Sequence, residues 1–60
     1  MNPNEETVIR KIRQRIDPPN NEMLWDLFCV EHDRLIHNKT EDSEGVAIDH
    51  VVKKFRENIV

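Results

Sequence analysis

Apolar residues recur along this chain in three runs at helical spacing, divided by polar or proline-containing breaks. In the first run Val8, Ile9, Ile12 and Ile16 share one face of a 3.6-residue period, whereas a half-buried strand would alternate. Asn4 is placed to cap this helix through its side-chain oxygen, and Glu5 and Glu6 follow at the positive end of the dipole. Asp17, Pro18 and Pro19 end it, since proline offers no amide and clashes with the preceding turn. The expected helix covers residues 5–16.

The second run, capped by Asn20 or Asn21 and expected over residues 21–38, carries apolar residues on nearly two sides. Leu24, Leu27, Phe28 and Leu35 cluster within an arc of about 100°, the breadth of an ordinary core stripe. Trp25, Cys29 and Ile36 form a second patch about 120° away, with His32 between the two. Glu31 falls inside the core stripe. A carboxylate there is costly unless it reaches water or a cation such as Arg34 or a basic group of the first helix.

The polar connection NKTEDSEG leads to a third helix, expected over 43–58 and capped by Asp42 or Ser43. Ile48, Val51, Val52, Phe55 and Ile59 make it the cleanest amphipathic run, with Lys53, Lys54 and Arg56 towards its negative end. The short connection predicts an antiparallel hairpin of helices two and three, with the shorter first helix packed across it. The fold class is therefore all-α, a single three-helix domain spanning residues 1–60.

Length sharpens the meaning of the second patch. A chain of 60 residues buries only about 60% of the surface that its unfolded form exposes, and such domains lean on disulfides, metals, oligomerisation or very regular packing. The single Cys29 excludes an internal disulfide. One short helix covers one groove of the hairpin, which leaves the Trp25, Cys29 and Ile36 side without an evident partner. The expected function is thus a non-enzymatic protein-interaction module, an adaptor, inhibitor or regulatory subunit. Its contact surface is Trp25, Cys29, His32 and Ile36, and its partner is a second copy in a homodimer through helix two or a larger protein. Trp25 is the expected anchor, because tryptophan buries a large area with few rotatable bonds.

Charge is unevenly placed beneath a net of -3. Arg10, Lys11, Arg13 and Arg15 form a basic strip, while residues 17–50 hold nine acids against Arg34 and Lys39. Arg10, Arg13 and Gln14 point away from the apolar face and offer a nucleic-acid contact as the first alternative. Against it, the first turn of a recognition helix in a helix-turn-helix arrangement would be Glu41, Asp42, Ser43 and Glu44, which repel phosphate.

A second alternative is a small metal-binding protein. Cys29 and His32, at i and i+3, project to one side of a helix and suit one zinc ion, with His50 as a third ligand across the hairpin. Structural zinc sites normally show two paired motifs and only one pair exists here, so no metal or other cofactor is expected. Catalysis is not expected either. The acidic neighbours Glu31 and Asp33 oppose a Cys29 thiolate, and three short helices leave little room for a substrate cavity. The lone cysteine, an N-terminus without the apolar core of a signal peptide, and the lack of a span of about 20 apolar residues lead to the expectation of a cytoplasmic protein with no membrane contact.

Overall fold

Capping residues set where each helix begins. The computed structural model describes residues 3–17 and 20–57, and over them the chain forms α1 (Glu5–Arg13), α2 (Asn21–His37) and α3 (Ser43–Glu57), with no strand among the described residues. The Asn4 side chain accepts from the Thr7 amide at 3.0 Å and the Asn20 side chain from the Met23 amide at 3.1 Å, each satisfying an amide that the helix cannot. At α3 the Asp42 carboxylate accepts from the Gly45 amide at 3.3 Å. That cap needs a glycine, because a Cβ on residue 45 would sit 2.4 Å from an Asp42 carboxylate oxygen.

The turn from α2 to α3 is a Schellman motif. The Thr40 amide donates to the Leu35 carbonyl and the Lys39 amide to the Ile36 carbonyl, both at 2.9 Å, around a left-handed Lys39 (φ 58°). Asp42 is also left-handed, at φ 51°. Two non-glycine residues in that region within four positions make a tight, strained connection.

Side-chain pairings then fix the register. Ser43 meets His32, His50 and Lys54 meet Glu31, and Phe55 lies beside Met23 and Leu27. Position rises along α3 as it falls along α2, so the pair is an antiparallel hairpin. It has the most extensive helix–helix contact in the fold. Helix α1 lies across both: Arg13 donates to Asn21 at 2.7 Å, Lys11 faces Glu44, and Arg15 pairs with Asp49.

The core sits where the three meet, built from Val8 and Ile12 of α1, Leu24, Phe28 and Leu35 of α2, and Ala47, Ile48, Val51 and Val52 of α3. Phe28 is the largest fully buried side chain. Truncating such a residue costs about 3–5 kcal/mol, as much as the whole stability of about 3–5 kcal/mol that a core of this size supplies.

Two boundaries differ from the sequence reading. Helix α1 ends at Arg13 rather than Ile16, because the Ile12 carbonyl takes both the Arg15 and Ile16 amides, each at 3.0 Å, and the last turn tightens. Ile16 still packs against the core. Helix α2 ends at His37, one residue short of the expected 38, with Asn38 as its C-cap. The expected breaker pair Pro18 and Pro19, residue 58 and the expected core residue Ile59 lie outside the described residues.

Lys39 generates a stability prediction. A left-handed conformation costs an ordinary residue about 1–2 kcal/mol, part of which glycine gives back through the entropy of its unfolded state. Lys39→Gly is expected to raise Tm by about 4 °C in a thermal melt followed by circular dichroism, while Lys39→Val lowers it.

Candidate interaction surface

Helix α2 presents three longitudinal strips, and each has a different fate. Leu24, Phe28 and Leu35 are buried in the core. On one flank, Met23 is half exposed and Val30 is 67% exposed, with Leu27 and Phe55 completing a small apolar hollow. On the other flank lie Trp25 and Cys29, both partly buried, and Ile36, which is 53% exposed. The sequence reading missed the first flank, although the i, i+4, i+7 spacing of Met23, Leu27 and Val30 carries it.

Aromatic stacking makes the Trp25 flank rigid. Trp25 stacks on Phe28 with centroids 5.4 Å apart at 21°, and Phe28 stacks on His32 at 5.2 Å and 19°. The ladder runs from the core to the surface, so the indole is oriented by a fully buried ring.

His32, expected on the contact surface, is buried instead, its Nε2 lying 3.2 Å from the Ser43 hydroxyl. Stacking and that hydrogen bond turn the ring inward, where it packs against the start of α3. The contact strip therefore reduces to Trp25, Cys29 and Ile36. Between α1 and α2 it opens into a shallow groove of about 210 Å³ formed by Ile9, Trp25 and Asn21 with the carboxylates of Glu5, Glu22 and Asp26. This is smaller than the roughly 300–1,000 Å³ that small-molecule sites occupy.

Carboxylates predominate along the strip, and Arg13 reaches its groove end through Asn21. Burial first, and then the Asp33, Asp26 and Glu5 carboxylates, push the Cys29 thiol up. The thiol therefore stays protonated at neutral pH and is neither a ready nucleophile nor a ready metal ligand. The three side chains suggested for zinc are turned apart, His32 to Ser43 and His50 to Glu31. No group of three or more metal-ligating side chains converges among the described residues.

Glu31 supplies the polar centre of the α2–α3 seam. Its side chain is only 6% exposed, and its two oxygens receive Lys54 Nζ at 2.9 Å, Arg34 Nη2 at 2.6 Å and His50 Nδ1 at 3.2 Å. An ionised carboxylate only accepts, so His50 carries its proton on Nδ1. Arg34 is a partner that the sequence suggested. The other two come from α3 rather than from α1, and His50 is half-buried. The signal was available in the i, i+4 spacing of His50 and Lys54, which places both on the α3 face turned to Glu31.

The basic strip of α1 is largely engaged within the molecule. Arg13 binds Asn21 and lies 3.7 Å from Asp17, Lys11 lies 3.9 Å from Glu44, and Arg15 pairs with Asp49. Of the three residues named for nucleic-acid contact, Arg10 and Gln14 are exposed and Arg13 is held by these partners. Among the described residues no helix is long and apolar enough to cross a membrane. Comparison with protein-family models, curated proteins and solved structures finds no match to this chain.

The Glu31 cluster predicts an acid dependence. Hydrogen bonds from Lys54 and then His50 hold its carboxyl below the ordinary carboxylate range, outweighing the opposing effect of burial, with the Lys54 and Arg34 charges adding to the shift. A depressed folded value means that the contribution is complete above the unfolded value of about 4.3 and is lost as pH falls through the folded value. Lys54 and Arg34 are themselves half exposed or more, so water screens the pairs. Glu31→Gln is expected to cost about 1 kcal/mol at pH 7 in urea unfolding, with the gap from the wild type closing at acid pH. A gap that persists below pH ~3 would show that packing, not charge, is lost.

Proposed function

We propose that this protein is a non-enzymatic interaction module that contacts another chain through the Trp25, Cys29 and Ile36 strip of α2. The observation carrying this reading is Ile36, more than half exposed in line with a rigidly stacked indole and a partly buried thiol. Helix α1 borders Trp25 through Ile9 and Glu5, and Ile36 stays exposed. Among the described residues Ile36 is one of three large apolar side chains left exposed, and covering it is favourable at about 25 cal/mol per Å² of apolar surface. Tryptophan held by stacking loses little freedom on binding, which suits it as an anchor. The occupant is a second copy of the chain or a larger adaptor or target protein. A reducing, cytoplasmic setting suits the lone protonated Cys29.

Ile36→Asp tests this directly, since an exposed position tolerates a charge in the folded monomer but a buried contact does not. The variant is expected to keep its helical spectrum and its urea midpoint. Sedimentation velocity of the wild type and variant, alone and with a purified partner, reads the association. Loss of association with the fold intact supports the module; unfolding of Ile36→Asp would return the strip to the core and end the proposal.

A further inference from the structure

Acidic side chains lie along one edge of the apolar strip. Glu22, Asp26 and Asp33 run beside Trp25, Cys29 and Ile36 on α2, and Glu5 closes the groove from α1. Among the described residues no cation pairs with any of these four, whereas Asp17, Glu31, Glu44 and Asp49 all have intramolecular partners. Glu6, Glu41, Asp42 and Glu57 also have no ion pair among the described residues, but they do not lie beside an exposed apolar side chain of the strip.

Resting on the interaction-module reading, we propose that the occupant of this strip is a basic amphipathic helix of another protein. Its apolar residues would lie against Trp25, Cys29 and Ile36, and its arginines or lysines against the Glu5, Glu22, Asp26 and Asp33 carboxylates.

Three features favour this occupant over a second copy. A two-fold contact through the strip sets the same patch against itself, bringing two acidic rows together. A head-to-tail contact would have to use Arg10, Lys39, Lys53 and Arg56, the cations that no carboxylate faces among the described residues and that are spread over α1, the α2–α3 turn and the end of α3. Lys11, Arg13 and Arg15 each face a carboxylate, and Arg34 and Lys54 share Glu31. The dimensions also fit. Trp25 to Ile36 spans about 16 Å of helix, three turns of a partner, and the groove beside Trp25 is sized for one long side chain, whose stem lies on the indole and Ile9 while its charged head meets the carboxylates. So short a contact belongs among small, transient interfaces, whose affinity is modest and falls with salt.

The only tryptophan of the chain is Trp25, so its fluorescence reports the strip alone. The probe is a synthetic amphipathic helical peptide of about 16 residues with leucines on one face and arginines along its borders, compared with the same peptide carrying glutamates in place of the arginines. The arginine peptide is expected to shift Trp25 emission saturably, with an affinity that drops at high salt, while the glutamate peptide gives no shift. Glu22→Lys with Asp26→Lys is expected to weaken the arginine peptide by roughly tenfold. The charge-matched Glu41→Lys with Glu57→Lys, placed away from the strip, leaves its affinity unchanged.

Equal loss in both double variants would reduce the effect to net charge and overturn the proposal. So would the absence of any shift with the arginine peptide, or self-association of the protein without peptide. Saturable binding of the glutamate peptide, abolished by Ile36→Asp, would overturn the basic partner yet leave the interaction module standing. If the module itself is wrong, neither peptide binds and Ile36→Asp unfolds.

Discussion

Helix α2 carries apolar side chains around about two-thirds of its circumference, while the described residues form two other helices with which to cover it. Leu24, Phe28 and Leu35 face both neighbours and are buried. The flanks at Met23 and Val30 and at Ile36 are left about half exposed or more, while Trp25 is partly covered beside Ile9 of α1. This shortage of cover follows from length, because a second layer of helices would need a longer chain. Everything distinctive about the surface follows from which flank is left bare and what lines it.

Which flank is left bare depends on register, and register depends on Glu31. Apolar packing alone would tolerate α3 sliding by a turn along α2, since Ile48, Val51, Val52 and Phe55 present similar shapes at each step. A nearly buried carboxylate does not tolerate it, because any slide that withdraws Lys54 and His50 leaves the charge in the seam with Arg34 alone. The Schellman turn at Lys39 holds the other end of the hairpin, and the His32 contact with Ser43 sits one turn from it. With the seam fixed at Glu31 and at the turn, α3 covers the Glu31 side of α2, and α1 packs across both helices with its Ile9 edge beside Trp25.

Much of this was legible in the residues themselves. Periodicity gave the three helices, Asn4 and Asn20 announced their caps, and Glu31 declared its need for a counter-charge by standing in an apolar stripe. What escaped the sequence depends on through-space register. A helical wheel places His32 between two faces but does not say which way its ring turns, and here Phe28 and Ser43 decide that. Lys39 adopts a backbone conformation that glycine usually marks, so its turn had no compositional signal. The end of α1 was misjudged because the proline pair named the last possible residue of the helix, whereas the tightening at Ile12 ends it earlier.

In the proposed interaction, charge placement bears on which partner the strip accepts. An apolar strip in water invites its own copies, and unpaired carboxylates beside it oppose that contact through like-charge repulsion while leaving the apolar atoms uncovered. The same carboxylates lower the barrier to a cationic surface and raise its encounter rate. Had they been neutralised from within, as Asp49 is by Arg15 and Glu44 by Lys11, the strip would have neither discrimination nor steering. Internal pairing of Lys11, Arg13 and Arg15 is part of the same arrangement, since with Arg10 alone left free among the described residues it withdraws most of the chain's own basic strip from competition for the acidic edge.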